Sequence, residues 1–199
     1  EFRRVLFRSF WLLDTDPFVG SPRPILPHVA YIGGHAVRKN KPLSNDLQEY
    51  FDTAQNGVIV VSFGTIGTYI PKVVADKFLS TFEKLTQKIL WNFHNPFNQT
   101  VPENVKLMNW LPQRDALAHP KTKLFITHCG SYSRYEAIHS GVPMIGMPFN
   151  ADQFRNCADI KLKGLGECYT MAKFVVPDLV ATIRKIIGNT SYADRKSVV

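Results

Sequence analysis

Residues 110–153 read WLPQRDALAHPKTKLFITHCGSYSRYEAIHSGVPMIGMPFNADQ. The apolar run at 124–127 predicts a strand, and residues 133–139 predict a helix that follows it. After a Gly-Val-Pro turn, a second short strand is predicted near residues 144–146. This order indicates a parallel α/β sheet, in which polar groups gather after the strand ends and at the helix starts.

The same alternation of strand and helix extends outward, over residues 57–188. The apolar, β-branched run at 58–63 predicts a strand that is buried on both faces. Apolar residues at every third or fourth position from Val74 to Leu85 predict a helix that starts at Pro71. Further strands are predicted at 89–93, 105–108 and 167–169, and further helices at 45–53, 112–118, 153–163 and 177–187. The expected fold class is therefore α/β, a doubly wound parallel sheet of Rossmann-like type with right-handed crossovers.

The chain divides into four segments. Residues 1–9 and 194–199 resemble a translated sequencing-library adapter, so both are expected to be non-native. Residues 10–50 are rich in proline, which fixes φ and removes a backbone donor, and they predict an extended connector with a short strand at 29–32. Residues 51–193 form the expected globular domain.

Charge narrows the range of partners. The formal net charge is +8, and the two adapter-like segments carry +3 of it, which leaves +5. No dense basic run with interleaved aromatic residues remains, so nucleic acid is not an expected partner. A moderate positive charge suits an anionic small ligand. No apolar run reaches about 18 residues, so no membrane span is expected within the chain.

The cysteines and the sequons give weaker information. Cys129, Cys157 and Cys168 have neither C-x-x-C nor zinc-ligand spacing, so we expect free buried thiols and neither a disulfide framework nor a metal site. Two N-x-[ST] triplets, at Asn98 and Asn189, weakly suggest a lumenal or secreted setting.

Three residues of the opening stretch are candidates for a nucleotide site. His128 follows a strand and precedes a helix, so it can donate to a diphosphate together with the amides of Gly130 to Ser133, although a lone histidine is more often structural. Glu136 can accept two ribose hydroxyls, or it can be a solvated glutamate that the helix dipole favours. Trp110 can stack on a base, or it can belong to the core.

The first strand-to-helix turn contains Ser62, Gly64 and Thr65. It lacks the G-x-G-x-x-G pattern of dinucleotide sites, and no P-loop lysine follows. The glycine lets backbone approach a ligand, and the two hydroxyls can donate to phosphate. On spacing alone, a plain turn that caps the next helix is favoured.

Taken together and in this order, these residues resemble the UDP-sugar-binding box of the UDP-glycosyltransferases, in the version found in animal UDP-glucuronosyltransferases. The matching patterns are W-x-P-Q, H-P, F-I-T-H-x-G, Y-E-A, G-x-P-M-x-x-x-P and D-Q within 110–153, with P-R-P-I-L-P, Gly33-Gly34 and V-V-S-F-G-T before it. The resemblance covers residues 10–193. It implies the C-terminal, donor-binding half of a GT-B fold, with residues 51–193 as the UDP-sugar-binding domain.

The resemblance also implies a role for each matching residue. Trp110 would stack on uracil, Gln113 would frame the base and the ribose, and Glu136 would hold the ribose hydroxyls. The implied diphosphate ligands are His128, Ser133 and the backbone near Gly130, with Ser62, Gly64 and Thr65 closing over them. Asp152 and Gln153 would bind sugar hydroxyls. No metal or further cofactor is implied besides the donor substrate, UDP-glucuronic acid or another UDP-sugar.

Two features set limits on this resemblance. The family has an amide where this chain has Tyr132, which puts one phosphate or sugar contact in doubt, although the phenol can substitute. The general base of the family, a histidine with an acidic partner, belongs to the N-terminal domain, so no catalytic residue is expected here. The histidines left without that role are His28, His35, His94, His119 and His139.

The implied activity is transfer of a sugar, foremost glucuronic acid, from UDP to a hydroxyl of a small lipophilic acceptor, with inversion. The parent protein would be anchored in the endoplasmic reticulum membrane on its lumenal face, and a homo-oligomer remains open. One alternative is a nucleotide-sugar-binding module without activity. The other is a dinucleotide-dependent oxidoreductase domain, against which the missing glycine pattern weighs.

Overall fold

A computed structural model describes residues 10–17, 19–20, 22–35, 37–65 and 70–192, so the adapter-like ends lie outside the described residues. The strands are β1 (Trp11–Leu13), β2 (Val29–Tyr31), β3 (Val58–Ser62), β4 (Lys88–Asn92), β5 (Val105–Met108), β6 (Thr122–Thr127), β7 (Met144–Gly146) and β8 (Gly166–Cys168). The helices are α1 (Asn45–Asp52), α2 (Lys72–Phe82), α3 (Gln113–Ala118), α4 (Ser131–Ser140), α5 (Gln153–Leu162) and α6 (Val176–Gly188), followed by a 3₁₀ turn at Thr190–Tyr192. None of the described helices is long and apolar enough to cross a bilayer.

Six strands form one parallel sheet in the order β5-β4-β3-β6-β7-β8. From the central strand β3 the chain first adds β4 and β5 on one side. It then returns to add β6, β7 and β8 on the other side. At the centre Ser62 pairs with Thr127, so the carboxyl ends of β3 and β6 are neighbours. In open sheets of this type the crevice at that reversal is where ligands bind.

Helices cover both faces of the sheet, which confirms the doubly wound α/β expectation. All five residues of β3 are buried, because each face packs against helices. On one face, the Phe78 ring of α2 lies 5.6 Å from Trp91 and 5.0 Å from Phe174, centroid to centroid, and α6 joins this cluster. The other core contains residues of α1, α3, α4 and α5 around Phe125. Burial on this scale, at roughly 25 cal/mol per Å² of apolar area, is the main stabilising contribution to the fold.

The connector contains one element that the sequence did not predict. β1 pairs in parallel with β2, with Trp11 opposite Val29. The prolines of this segment lie between the two strands or after them, where a missing backbone donor costs no ladder hydrogen bond. The prediction from proline content therefore missed β1, since the number of prolines does not show where they lie relative to the strands.

An ion pair attaches the connector to the sheet domain. The Arg38 guanidinium donates to both oxygens of Asp115, at 3.1 and 2.9 Å, and the backbone N–H of Lys41 donates to the same carboxylate at 2.8 Å. Burial alone would raise the pKa of Asp115, but these hydrogen bonds outweigh it and hold the pKa below its usual value. The pair brings Arg38 to the edge of the carboxyl-end crevice.

Element boundaries differ from the predictions by one to three residues. The difference that matters is α4, which begins at Ser131 rather than at residue 133. Gly130 is its N-cap, with extended backbone at φ −58° and ψ 145°. The N-terminal amides of α4 therefore follow the loop after β6 directly.

The expectation of three free thiols was wrong. Cys157 on α5 and Cys168 on β8 form a disulfide, with their Cα atoms 6.0 Å apart. Only the packing of α5 beside β8 brings these cysteines together, and sequence spacing does not show that packing. Cys129 is the remaining free thiol, and burial raises its pKa to about 12.

Candidate functional site

A cleft of about 870 Å³ lies over the carboxyl ends of β3, β4, β5 and β6 and the N-termini of α3 and α4. Nine of the eleven residues predicted from the sequence line it, namely Ser62, Gly64, Thr65, Trp110, Gln113, His128, Gly130, Ser133 and Glu136. Asp152 and Gln153 lie beside the cleft and do not line it. The described residues contain no group of three or more His, Cys, Asp or Glu side chains arranged to hold a metal ion.

His128 is held between two glycines. A Cβ on Gly64 would lie 3.0 Å from the imidazole Nε2, and a Cβ on Gly130 would lie 2.5 Å from the same atom. Gly64 also has φ +71°, a conformation that other residues rarely adopt. The ring of Phe149 stacks on the imidazole at 6.0 Å between centroids. The imidazole therefore has little freedom to move, and both glycines are needed to leave room for it.

Burial sets the charge of His128. It lowers the pKa of the imidazole below its usual value, and a backbone hydrogen bond at Ser62 and the carboxylate of Asp152 oppose this shift without cancelling it. Near neutral pH the imidazole is therefore neutral, with one N–H to donate. An anion placed against the ring would favour the protonated form.

The helix behind His128 presents its N-terminus to the cleft. The chain turns from β6 into α4 through Cys129, whose φ of 68° is unusual for a residue other than glycine. Within the part of the chain that the structure describes, no side chain caps the first turn of α4. Its leading amides and the positive end of the helix dipole are therefore available to an anion next to His128.

A hydrogen-bonded triad lies further along the cleft. Gln113, the first residue of α3, donates from Nε2 to Glu136 Oε2 at 2.7 Å and to Ser133 Oγ at 3.1 Å. The amide thereby fixes the carboxylate, one oxygen of which remains for another partner. Such an oxygen can accept ribose hydroxyls. Glu136 is also the only Asp or Glu among the described lining residues, which include Arg38 and Arg114.

Trp110 is not a core residue. Its side chain is 75% exposed although it lines the cleft, whereas Trp91 is fully buried in the sheet. A large aromatic surface exposed beside a cleft is suited to stack on a planar ligand.

Asp152 and Gln153 start α5 at the border of the cleft. Asp152 Oδ2 accepts a hydrogen bond from Ser131 Oγ, at 3.2 Å, and Ser131 lines the cleft. Gln153 Oε1 accepts from the backbone N–H groups of Phe149 and Asn150, at 3.0 and 3.1 Å. This leaves the Gln153 Nε2 group as its remaining donor.

Tyr132, the departure from the family pattern, also lines the cleft, and its side chain is 55% exposed. A hydrogen bond to Asp14, in the connector, raises the pKa of its phenol. The phenol therefore links the connector to the first turn of α4.

Sequence reasoning missed five charged, amide or imidazole side chains of the lining, namely Arg38, Asn92, His94, Asn109 and Arg114. Asn92 ends β4, and Asn109 follows β5, so the rule that polar groups gather at strand ends would have found both. Arg38 gave no such signal, because the Asp115 contact that places it joins residues 77 apart in sequence.

Comparison with known proteins identifies the family of the chain. The chain matches the family described as UDP-glucoronosyl and UDP-glucosyl transferase over residues 4–197. It is 36% identical to mouse UDP-glucuronosyltransferase 1A7 over 187 residues and 36% identical to human 2-hydroxyacylsphingosine 1-beta-galactosyltransferase over 188. Each alignment covers 94% of this chain and 35% of the relative, so the chain spans about a third of the length of these proteins.

Solved structures show the same fold. The glycotransferase of kitacinnamycin superposes with a TM-score of 0.76 at 21% identity, and the spinosyn forosaminyltransferase SpnP with 0.77 at 15% identity. Both alignments cover 94% of this chain and 48% of the solved chain. The family match spans nearly the whole sequence and the fold is that of glycosyltransferases; the chain therefore belongs to the UDP-glycosyltransferase family.

Proposed function

We propose that the cleft binds the UDP portion of a UDP-sugar. One observation carries this proposal: an exposed indole, a carboxylate held by an amide and an uncapped helix N-terminus beside a histidine line the same cleft. These groups match the three parts of uridine diphosphate, which are a flat base, a ribose with two hydroxyls and a diphosphate. The residues proposed to bind the donor are the eleven predicted from the sequence.

The proposed chemistry is departure of UDP as a sugar moves to an acceptor hydroxyl with inversion. Amides of α4 and the His128 N–H would stabilise negative charge that grows on the diphosphate as the glycosidic bond breaks. Asp152 and Gln153, next to that end of the cleft, would hold the sugar. No catalytic base is assigned among the described residues, so we expect this chain alone to bind the donor without turning it over.

For the sugar we propose glucuronic acid, and for the acceptor a small lipophilic molecule. Relatives named UDP-glucuronosyltransferases support the sugar, and the human galactosyltransferase relative makes galactose the competitor to test. UDP-glucuronic acid is expected to displace a fluorescent UDP analogue at lower concentration than UDP-galactose does. The reverse order would assign galactose.

The proposed location of the parent protein is the lumenal face of the endoplasmic reticulum membrane. The Cys157–Cys168 disulfide supports an oxidising compartment, and the Asn98 sequon is exposed. In microsomes the parent protein is expected to resist added protease until detergent is present. Digestion without detergent would contradict this location.

Binding is tested first by calorimetry on the chain with UDP and with the variant Trp110→Ala. Stacking of a base on an aromatic side chain contributes about 1–3 kcal/mol, so the variant is expected to bind UDP about 5- to 150-fold more weakly. Stability should hardly change, because the indole is 75% exposed. Trp11→Ala is the matched control, since that indole is 61% exposed and does not line the cleft.

Two outcomes would refute the binding proposal. One is folded protein that shows no saturable uptake of UDP, and the other is equal affinity in the Trp110 and Trp11 variants. NADH is expected not to compete with UDP. Competition at similar concentrations would favour a dinucleotide site instead.

The charge of His128 predicts opposite effects of pH on stability and on binding. Its folded-state pKa is lowered, so its contribution to stability is present above the unfolded value of about 6.5 and is lost as the pH falls below it. The diphosphate of UDP-glucose would favour the protonated imidazole. The affinity of the chain for UDP-glucose is therefore expected to rise as the pH falls over the same interval. Thermal denaturation measures the first effect, and calorimetry in buffers of different ionisation enthalpy measures the proton uptake.

His128→Gln is the control for this prediction, since an amide keeps a donor but does not titrate near neutral pH. Proton uptake on binding should disappear in this variant. If uptake persists unchanged, another group is responsible and the role given to His128 is wrong.

A further inference from the structure

The buried amide of Asn156 connects the loop before α4 with the N-cap of α5, at the border of the cleft. Asn156 lies one turn into α5, and only 6% of its surface is exposed. Its Nδ2 lies 3.0 Å from the carbonyl oxygen of Cys129 and 2.8 Å from Asp152 Oδ2. Ser131 Oγ is a third and longer contact, at 3.4 Å.

The identity of these partners fixes the orientation of the amide. A backbone carbonyl and a carboxylate only accept hydrogen bonds, so the NH₂ group, not the oxygen, must face them. Its two hydrogens match the two shorter contacts. One contact holds the loop that precedes α4, and the other holds Asp152, the N-cap residue of α5.

We propose that Asn156 is a positioning residue that aims Asp152 at the sugar of a bound UDP-sugar. With Oδ2 engaged by Asn156 and Ser131, the carboxylate keeps Oδ1 as the oxygen for a sugar hydroxyl. The same amide ties this carboxylate to the loop beside His128, so sugar and diphosphate are held in a fixed relation. The inference rests on the proposed donor site, and it adds a residue that does not itself touch the ligand.

The test separates the sugar from the nucleotide by comparing UDP-glucose with UDP in each protein. A hydrogen bond between a hydroxyl and a carboxylate is expected to make UDP-glucose bind about tenfold more tightly than UDP in the unmodified chain. In Asn156→Asp two carboxylates face each other and the donor is lost. This gain is then expected to disappear at pH 8. Because the gain is a ratio of two affinities in the same protein, a change in UDP affinity from the lost Cys129 contact does not alter it.

The pH dependence of the UDP-glucose gain distinguishes a role of Asn156 in orienting Asp152 from a role in stabilising the fold. When the introduced carboxyl group is protonated it can again donate to Asp152, so the UDP-glucose gain of Asn156→Asp is expected to return as the pH falls toward 5.5. Asp159→Asn is the matched control, because Asp159 lies on the same helix, is 8% exposed and pairs with Arg134 away from the cleft. It should alter stability without altering the UDP-glucose gain. Should Asn156→Asp fail to fold, Ser131→Ala removes the other donor to Oδ2, and its expected effect is a partial loss of the gain.

Each outcome has a distinct meaning. Absence of UDP binding in the unmodified chain overturns the proposed function, and this inference with it. If UDP binds but UDP-glucose binds no better, the inference is overturned together with the sugar contact proposed for Asp152, while the proposed UDP site stands. It is also overturned if folded Asn156→Asp, or Ser131→Ala used in its place, keeps the full gain at pH 8.

Discussion

Replacing Glu136 with alanine is expected to weaken UDP binding about 100-fold. Gln113 holds one carboxylate oxygen at 2.7 Å, so the side chain is oriented before any ligand arrives. Two hydrogen bonds from ribose hydroxyls to a charged acceptor contribute about 1.5 kcal/mol or more each, and a loss near 3 kcal/mol corresponds to that factor. Calorimetry with UDP measures the change.

The ligand provides the control for this prediction. If Glu136 acts through the ribose, a UDP analogue without the 2′- and 3′-hydroxyls should bind the unmodified chain weakly and the variant equally weakly. Glu49→Ala, which removes an exposed carboxylate on α1, should leave UDP affinity unchanged. A Glu136→Ala variant that discriminates between UDP and the analogue as strongly as the unmodified chain would disprove the assignment.

Gly130→Ala is expected to abolish measurable UDP binding and to cost roughly 1–3 kcal/mol of folding stability, as overpacking typically does. The added methyl group would lie 2.5 Å from His128 Nε2, so the imidazole must leave its position between Gly64 and Phe149. Backbone strain does not contribute, since φ is −58° at Gly130. Urea denaturation and calorimetry measure the two effects.

A second substitution tests whether the clash with His128 causes the loss of stability in Gly130→Ala. Adding His128→Ala to Gly130→Ala removes the clashing ring, so stability should recover while UDP binding stays lost. Gly188→Ala is the matched control, because a Cβ there would meet no atom of the described residues within 4 Å. If the double variant is no more stable than Gly130→Ala, the contact with the imidazole is not the cause.

The alternation of strands and helices was predictable because it follows from local patterns. The run at 58–63 is apolar throughout because both faces of β3 are covered, and the period of α2 shows which face it buries. The boundary of α4 was missed by two residues, since Ser131 and Tyr132 do not signal a helix start. The strand β1 was missed because its three residues gain their pairing from β2, sixteen residues later.

The candidate site was predictable to the extent that its residues follow strand ends. His128, Gly130 and Glu136 are close in sequence, and the parallel sheet brings Ser62 beside them. Arg38 and Asn156 were not predictable, since each acts through a partner on another element. The disulfide was missed for the same reason, because the distance between Cys157 and Cys168 depends on how α5 packs beside β8.

By itself the sequence determined the α/β class, the family resemblance and half of the residues that line the cleft. These depend on periodicity, turn chemistry and motif spacing, which act over a few residues along the chain. Only the tertiary structure decided that Trp110 is exposed, that Gln113 orients Glu136 and that Asn156 restrains Asp152. Exposure and hydrogen-bond partners arise when separate elements pack together, and no local pattern contains those distances.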